Sequence, residues 1–364
     1  MEKKYLIFVF IGEFGYEMMN WHGLIRKLKE TCDNFRYIIC GRTGLELLYP
    51  YAEYYIDISS LKYFRKSIAA SYCATNVNIK ELVKEIEIYV YRKIKDLKEV
   101  SHEFIFSHEG KEINGIRFGG LHYGDIYKKE TIKGNSYSII VPKNEKYWLK
   151  YFSKNYSINF DKPYIVIQNA QRFGKNRIDK KPNIRKLISK ISNKVQVVNI
   201  NFNTDRSFDT VSNKVDEKKV INIKINDFQQ QCVLIKNSLT SIFETQGDFR
   251  SHTYIPPFLG KKIYVYVNRP VLFLGTGPVD MFNKYLFKKL GSEMHIIIEE
   301  ELWWYKMNYV VNRILKNKSI LFPTNLYRGI RFNFRQFISS NIYNKLYRNK
   351  ISYKLINDKF INID

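Results

Sequence analysis

Seven consecutive apolar residues near the amino terminus, Tyr5–Ile11 (YLIFVFI), constrain the fold of this chain most strongly. A run of strand length without polar alternation is typical of a strand that is buried on both faces of a parallel sheet. The period then changes, because Met18, Trp21, Leu24 and Leu28 recur at helical spacing over residues 17–30. A buried strand followed by an amphipathic helix predicts the opening of an α/β fold.

The same alternation of strands and helices repeats along most of the chain. Further strands are predicted at 35–40, 54–58, 103–106, 137–141, 164–169, 195–202, 220–225, 239–244 and 262–267. Further helices are predicted at 44–49, 78–97, 183–192, 227–237 and 251–259. The pattern predicts an α/β fold with two Rossmann-like domains that face a cleft, at residues 1–150 and 151–300.

The last part of the chain, residues 301–364, has a different composition. Residues 301–317 predict a helix rich in Trp, Tyr and Val, and the whole stretch has twelve Lys and Arg against three Asp and Glu. Two interpretations are open: the helix packs back on the first domain, or this basic, aromatic extension binds an anionic membrane surface. For residues 325–350 the composition favours the membrane.

The net charge indicates that the chain attracts anionic partners, but it does not distinguish between the classes of anionic partner. Sixty Lys and Arg against 35 Asp and Glu give a formal net charge of +25, which attracts nucleic acid, anionic lipid and phosphorylated substrates alike.

The four cysteines form no C-x-x-C pair and no His cluster has metal-ligand spacing, so we expect reduced thiols in a cytosolic protein. No run reaches the roughly 18 to 20 apolar residues that span a bilayer. We interpret MEKKYLIFVFIGE as a strand rather than a signal peptide.

The turn after the first strand is the first candidate site, because ligands of α/β sheets bind at the carboxyl ends of strands. Gly12 and Gly15 allow a tight turn, and the helix that follows presents its amino terminus to it. Glu13 lies where a general base would be needed. Two roles are open for Glu13: a base, or a cap for the free N–H groups of the helix. For Glu17 and His22 the alternatives to substrate binding are complementing the helix dipole and packing, respectively.

Two further strand ends, in the second half of the chain, carry polar and basic residues. IVIQNAQR places Gln168 and then Arg172, Lys175 and Arg177 after a strand, where they suit a diphosphate; the alternative is a solvated basic loop. ETQGDFRSH offers an acid, a glycine for close approach and a helix amino terminus; the alternative is a plain loop. Neither G-x-x-x-x-G-K-[ST] nor G-x-G-x-x-G follows a strand, which argues against P-loop kinases and ordinary dehydrogenases.

Together these segments resemble the GT-B glycosyltransferases, in particular heptosyltransferase-like and fucosyltransferase-like enzymes of bacterial surface-polysaccharide synthesis. IGEF is similar to the glycine and acid after their first strand, and IVIQNAQR to their strand that ends in an arginine at the donor diphosphate. ETQGDFRSHTYIPPFLG resembles their donor motif, D-T-G-x-x-H-x-A-x-x-x-G. It departs from that motif in Glu244 instead of Asp, in a spacing of five residues instead of three from Gly247 to His252, and in Pro256-Pro257 where alanines are usual.

The resemblance implies a role for each segment. It makes Glu13 the catalytic base. The implied acceptor-binding residues are Gly12, Gly15, Tyr16, Glu17, Asn20 and His22. The implied donor-binding residues are Gln168, Arg172, Lys175, Arg177, Glu244, Thr245, Gln246, Gly247, Arg250, Ser251 and His252. No cofactor and no metal are expected, since no D-x-D motif ends a strand, and the anomeric carbon is expected to invert.

We therefore expect a glycosyltransferase that moves a sugar from a nucleotide-sugar donor to a glycan or lipid-linked glycan in surface-polysaccharide synthesis, such as capsule or lipopolysaccharide. We expect it in the cytoplasm, peripheral at the inner face of the membrane, with an anionic membrane surface and no nucleic acid as partner. Two alternatives are open: another polysaccharide-modifying transferase on this architecture, for example a pyruvyl transferase, and a non-catalytic nucleic-acid-binding protein.

Overall fold

The computed structural model describes residues 3–11, 14–62, 79–119, 129–168, 170–171, 182–202, 211–212, 219–225, 228–245, 251–267, 282–298, 302, 306–318 and 320. The strands are β1 (Lys4–Val9), β2 (Phe35–Gly41), β3 (Tyr54–Asp57), β4 (His102–Phe106), β5 (Lys111–Ile113), β6 (Ile116–Phe118), β7 (Tyr164–Gln168), β8 (Ala170–Gln171), β9 (Gln196–Phe202), β10 (Val211–Ser212), β11 (Val220–Ile225), β12 (Thr240–Thr245), β13 (Ile263–Val267) and β14 (Met294–Ile298). The helices are α1 (Phe14–Tyr16), α2 (His22–Thr31), α3 (Ile79–Lys93), α4 (Lys129–Gly134), α5 (Glu145–Tyr156), α6 (Pro182–Ser192), α7 (Phe228–Asn237), α8 (Ile255–Phe258) and α9 (Met307–Leu315). A π-helical turn, Glu17–Trp21, joins α1 to α2, and short 3-10 helices lie at Leu45–Leu48, Lys95–Glu99, Ser251–Tyr254 and Phe287–Leu290.

Two parallel sheets form the framework. The first has the strand order β3-β2-β1-β4, the second has β11-β9-β7-β12-β13-β14, and all neighbours in both are parallel. Counted from its own first strand, the second sheet has the order 3-2-1-4-5-6 of a Rossmann fold, and the first sheet has the 3-2-1-4 part of it. The predicted α/β fold with two Rossmann-like sheets is therefore confirmed.

β1 is buried on both faces, as its continuous apolar run predicts. Leu6 and Phe8 belong to one hydrophobic core, and Ile7 and Val9 belong to another on the opposite face. The apolar stripe of α2 contributes to the first of these cores and that of α3 to the second. Helices therefore cover both faces of the first sheet, which is the doubly wound arrangement.

β7 divides its side chains in the same way in the second sheet. Tyr164 and Val166 lie on one face, and Ile165 and Ile167 lie on the other. α7 packs on the first face, where the Tyr164 hydroxyl donates a hydrogen bond to the carbonyl oxygen of Leu234 at 2.6 Å. The stripes of α6 and α9 belong to the core on the other face.

The two sheets share one hydrophobic core. The cluster that contains Phe8 of the first sheet also contains Val166 of the second. Residues 135–144 connect the two sheets, and the Ile140 N–H donates to the carbonyl oxygen of Phe258 in α8 at 2.7 Å. The halves therefore pack directly on each other, while the predicted domain bounds at 150 and 300 stay a prediction.

Several elements differ from the expectations. The strand expected at 137–141 is wrong, because these residues connect the sheets and belong to neither of them. The helix expected at 17–30 is interrupted by the π-helical turn, and α5 occupies residues that the sequence pattern leaves without an element. In the expected helix at 301–317, the described helical segment is α9, and residues 321–364, with most of the basic extension, lie outside the described residues.

Candidate functional site

The carboxyl ends of strands from both sheets meet at one contact. The ring of Phe14, in α1 after β1, lies 5.6 Å from the ring of Phe228, which begins α7 after β11. Gly44, which follows β2, lies against the start of α7, where a Cβ added to Gly44 would be 3.1 Å from the Phe228 nitrogen. α1 also packs on the 3-10 helix Ser251–Tyr254, which follows β12. Ligands of doubly wound sheets bind at such strand ends, so this junction is the candidate site.

The turn after β1 carries the predicted base. Gly12 and Glu13 lie outside the described residues, whereas Ile11 before them is placed. The Ile11 N–H donates to Ser107 Oγ at 2.8 Å, and the Ser107 hydroxyl donates to the Ile11 carbonyl oxygen at 2.9 Å. Ser107 follows β4, the neighbour of β1, so the turn begins where the strand order of the first sheet reverses.

Glu17 forms a buried ion pair with Arg42. Its Oε2 accepts a hydrogen bond from Arg42 Nη1 at 2.8 Å, and its Oε1 accepts one from the Tyr49 hydroxyl at 3.0 Å. The side chain of Glu17 has no exposed surface and that of Arg42 is 1% exposed. The Tyr55 hydroxyl donates to the Arg42 carbonyl oxygen at 2.5 Å. Because Arg42 directly follows β2, this network ties the helix after β1 to the carboxyl end of the neighbouring strand.

Burial dominates the electrostatics of this network. It raises the pKa of the Glu17 carboxyl. The charge of Arg42 and the hydrogen bond from Tyr49 lower this pKa, but their effect is smaller than that of burial. Burial and the nearby Glu17 also raise the pKa values of Tyr49 and Tyr55 well above their usual range. Both Glu17 oxygens are engaged within the chain, so a role in acceptor binding, which stays a prediction, would require this network to open.

His22 lies between the two halves of the molecule. Its Nδ1–H donates to the carbonyl oxygen of Glu17 at 3.0 Å, and its ring contacts the rings of Tyr49, Tyr137 and Phe258. Burial lowers the pKa of His22 to about 4, so the ring is neutral near pH 7. The described geometry gives His22 a packing and hydrogen-bonding role, and acceptor binding stays a prediction.

The other predicted acceptor-binding residues lie along the same helical segment. Gly15 is half-buried in α1, where Tyr16 is described by its backbone alone. Asn20 is 5% exposed, and its Oδ1 accepts a hydrogen bond from Asn135 Nδ2 at 2.9 Å. All five side chains of the π-helical turn are buried. π-helical turns are rare and recur at functional sites, which supports the first-sheet side of the junction as part of the site.

Gln168 is the predicted donor-binding residue whose side chain is described in full. It ends β7 and lies beside Phe243 of β12, at the point where the strand order of the second sheet reverses. The residue has no exposed surface, and neither amide atom has a hydrogen-bond partner among the described residues. A buried amide without partners costs about 1–3 kcal/mol, which marks this residue as a functional candidate.

A second amide, that of Gln231 in α7, shares these properties. It is fully buried, and neither its Oε1 nor its Nε2 has a partner in the described part of the chain. α7 runs from the carboxyl edge of the sheet, at Phe228, toward the start of β7, where Leu234 meets Tyr164. Gln231 is therefore nearer the carboxyl edge than Leu234 and on the β7 face that carries Gln168. The second half thus holds two buried amides without a described partner, one at the end of β7 and one in the helix on the same face of the sheet.

The remaining predicted donor residues are placed in part. Glu244 and Thr245 are the last residues of β12, and Ser251 and His252 begin the 3-10 helix that packs on α1; for these four the backbone alone is described. The others, which lie outside the described residues, are Arg172, Lys175, Arg177, Gln246, Gly247 and Arg250. The ends of β7 and β12 are neighbours in the second sheet, and the donor-binding role of these residues stays a prediction.

Within the described ranges, no group of three or more His, Cys, Asp or Glu side chains is arranged to hold a metal ion. No described helix is long and apolar enough to cross a bilayer.

Arg42 and Gln231 are not among the site residues predicted from the sequence. The position of Arg42 could be noticed in the sequence, because it follows the second strand directly in CGRTG. Its pairing with Glu17 could not, because it arises only when β1 and β2 are neighbours in the sheet. Gln231 lies in the run Gln229–Gln231, where composition alone gives no reason to choose one residue.

Comparison with known proteins gives structural neighbours only. No protein-family model matches the chain, and no curated protein matches its sequence. The chain is similar in structure to ADP-heptose lps heptosyltransferase II of E. coli, with a TM-score of 0.45, 11% identity, and coverage of 86% of this chain and 97% of that one. It is similarly related to a family 9 glycosyl transferase of Veillonella parvula, with a TM-score of 0.45, 10% identity, and coverage of 87% and 90%.

A third neighbour catalyses a different reaction. It is the UDP-GlcNAc 2-epimerase of Neisseria meningitidis, bound to UDP-GlcNAc, with a TM-score of 0.39, 12% identity, and coverage of 94% of this chain and all of that one. The neighbours thus include the heptosyltransferase class that the sequence resembles. At these TM-scores and identities they carry no argument about function, and the fold assignment rests on the strand orders of the two sheets.

Proposed function

We propose that the chain is a glycosyltransferase that binds a nucleotide-sugar donor at the carboxyl edge of its second sheet and an acceptor at that of its first. The observation that carries this proposal is the position of Gln168. Its amide is fully buried, has no partner among the described residues, and lies at the strand-order reversal of a Rossmann sheet. Phe228, after β11 of this sheet, contacts Phe14, after β1 of the first sheet. Ligands of Rossmann sheets bind at this reversal.

A nucleotide sugar fits the groups at this junction. Its base and ribose offer the neutral donors and acceptors that the amides of Gln168 and Gln231 could bond. Its diphosphate suits the guanidinium of Arg172, which follows β7 in the sequence, and the helix amino termini after β11 and β12. A second sheet edge opposite the donor gives the acceptor a separate binding surface.

In the proposed reaction Glu13 removes the proton from an acceptor hydroxyl as its oxygen attacks the anomeric carbon of the donor. The new C–O bond forms on the face opposite the diphosphate, so the configuration inverts. The bond from the anomeric carbon to the diphosphate oxygen breaks, and the nucleoside diphosphate leaves with the electron pair. Arg172 and helix amino termini stabilise the developing charge in place of a metal.

The acceptor and setting complete the proposal. We propose a glycan or lipid-linked glycan acceptor of surface-polysaccharide synthesis and a peripheral position at the cytoplasmic face of a membrane. The net charge of +25 supports an anionic membrane as a partner.

Gln168→Leu tests the proposal by separating stability from binding. Leucine removes the unpartnered amide, so we expect the free protein to keep or increase its melting temperature. Calorimetric titration with UDP, GDP, ADP, CMP and their sugars should show one nucleotide class that binds wild type and binds this variant at least about tenfold more weakly.

Gln196→Leu is the matched control at the opposite end of the same sheet. Gln196 begins β9, and its amide bonds the backbone of Asn159 at 3.0 and 2.6 Å. This variant should lose stability and keep nucleotide affinity. Equal nucleotide affinity in wild type and Gln168→Leu, or no binding of any nucleotide to wild type, would contradict the proposal.

A further inference from the structure

The segment between the two sheets carries an unusual concentration of exposed apolar side chains. Ile139, Val141 and Tyr147 are 49%, 65% and 61% exposed. They are three of the six large hydrophobic residues that are exposed in the described part of the chain, and they lie within nine residues of sequence. We call these three residues, together with Lys143, Lys146 and Lys150, the bridging patch.

The backbone fixes the outward direction of these side chains. Ile140 is buried, and its N–H is bonded to the Phe258 carbonyl oxygen, so Ile139 and Val141 on either side of it face away from the core. The Lys143 carbonyl oxygen accepts a hydrogen bond from Gln229 Nε2 at 3.0 Å. The patch is therefore held on the packed framework.

The charge around these apolar residues is positive. Lys143, Lys146 and Lys150 are exposed, and the acid among them, Glu145, is paired with Lys236 Nζ at 2.6 Å. Glu145 also accepts a hydrogen bond from Asn237 at 3.0 Å. The patch thus presents cations to solvent, while the neighbouring Glu145 carboxylate is paired with the partly exposed Lys236.

A second group of lysines borders the patch at Ile139. Ile139 and Leu290 both lie close to Gly260. A Cβ added to Gly260 would be 3.6 Å from Ile139 Cδ1 and 3.4 Å from the Leu290 carbonyl oxygen. Lys288 and Lys289 precede Leu290 and are exposed. Basic residues therefore flank the apolar side chains on two sides.

We propose that the bridging patch is a membrane-contacting surface that binds an anionic lipid bilayer. Ile139, Val141 and Tyr147 would enter the interfacial layer, and the lysines around them would contact anionic headgroups. The combination of exposed apolar side chains with lysines favours a lipid bilayer over other partners. A nucleic acid would use the lysines but gains nothing from exposed Ile and Val, and a second copy of the chain would bring like charges together. The inference rests on the membrane part of the proposed function, for which it names the contacting surface, and it is independent of the sugar-transfer chemistry.

Vesicle co-sedimentation at low salt tests the proposal with the full chain. Wild type should bind phosphatidylcholine vesicles that contain phosphatidylglycerol and should bind pure phosphatidylcholine vesicles much less. The triple variant Ile139→Ser/Val141→Ser/Tyr147→Ser keeps every charge and should bind the anionic vesicles about tenfold more weakly or worse. Lys143→Gln/Lys146→Gln/Lys150→Gln should weaken binding and reduce its salt dependence.

A matched control uses the other three exposed hydrophobic residues. Tyr54, Ile88 and Tyr309 are 43%, 41% and 39% exposed, and their triple serine variant should bind vesicles within about twofold of wild type. Melting temperatures of all variants check that they fold. Equal vesicle binding by the two serine triples, or no binding of wild type to anionic vesicles, would overturn the proposal. Tighter binding to an oligonucleotide, or a wild-type dimer that the patch substitutions dissociate, would overturn it in favour of those occupants.

Discussion

Replacing His22 by asparagine should remove a large part of the acid sensitivity of this protein. Burial lowers the pKa of His22 to about 4 from an ordinary 6.5, and its Nδ1–H bonds the Glu17 carbonyl oxygen in the neutral form. Above pH 6.5 the ring is neutral in both the folded and the unfolded chain, so its full contribution to stability is present. As the pH falls from 6.5 toward 4, the unfolded chain binds the proton first, and stability is lost.

The magnitude follows from the separation of the two pKa values. A separation from 6.5 to about 4, at 1.36 kcal/mol per pKa unit, corresponds to about 3 kcal/mol in total. Between pH 7.5 and pH 5 the linkage relation assigns His22 a loss of about 2 kcal/mol. Glu17 changes stability in the opposite direction. Because its pKa is raised in the folded chain, the folded chain binds this proton more readily than the unfolded chain, and the contribution of Glu17 to stability increases as the pH falls.

The assay is urea denaturation at pH 7.5 and pH 5 and at constant ionic strength, with wild type, His22→Asn and His22→Gln. Both variants lose ring packing at either pH, so each is compared with itself across the two pH values. The drop in the free energy of unfolding should be about 2 kcal/mol smaller in each variant than in wild type. Equal drops in all three proteins would refute the assignment of His22 as a buried neutral ring.

Two further predictions concern the framework of the site. Arg42→Met leaves the Glu17 carboxylate buried without its cation and should lower the free energy of unfolding by about 3–5 kcal/mol in urea, with part of the loss recovered in Glu17→Gln/Arg42→Met. A loss below about 1 kcal/mol, typical of an exposed pair, would contradict the burial of the pair. Gly119→Ala puts a Cβ 2.0 Å from the Ser107 carbonyl oxygen at φ 75°, whereas Gly115→Ala at φ 73° meets nothing within 4 Å. The first should therefore lower stability by about 2 kcal/mol more than the second in thermal melts, and equal losses would contradict the close approach.

Nine of the ten strands in the two parallel sheets were predictable because their residues form apolar runs or alternate with the period of a strand, whereas β14 was not predicted. β7 is a continuous run buried on both faces, and β9 alternates apolar and asparagine residues from Val198 to Phe202. The expected strand at 137–141 has the same apolar content, but its outer residues, Ile139 and Val141, are exposed. Local sequence does not distinguish a buried strand from an exposed apolar connection, because the difference lies in what packs on it.

The hairpin of β5 and β6 was not predicted, although its turn has a clear sequence signal. Its turn is Asn114-Gly115, with φ values of 49° and 73°, and Asn-Gly is the pair that favours a two-residue hairpin turn. The flanking strands have three residues each, which is too short for periodicity to stand out.

The candidate site was predictable in position more than in contacts. The turn after β1 and the ends of β7 and β12 follow from the rule that ligands bind at strand ends, and they lie where two sheets meet. The buried pair of Glu17 and Arg42 was not predictable, because the residues are 25 positions apart and meet through the pairing of β1 with β2. The roles of Glu13 and Arg172 stay predictions.

The proposed reaction transfers a sugar from a nucleotide donor with Glu13 as the base. The most direct test measures release of nucleoside diphosphate and labelled glycan from a panel of nucleotide sugars, with lipid-linked and free glycan acceptors. We expect turnover by wild type and by the control variant Glu30→Gln, which changes an exposed acid in α2. Glu13→Gln should slow transfer by about a hundredfold or more while it retains donor affinity. Equal turnover in Glu13→Gln and wild type, or no release from any donor, would rule out this reaction.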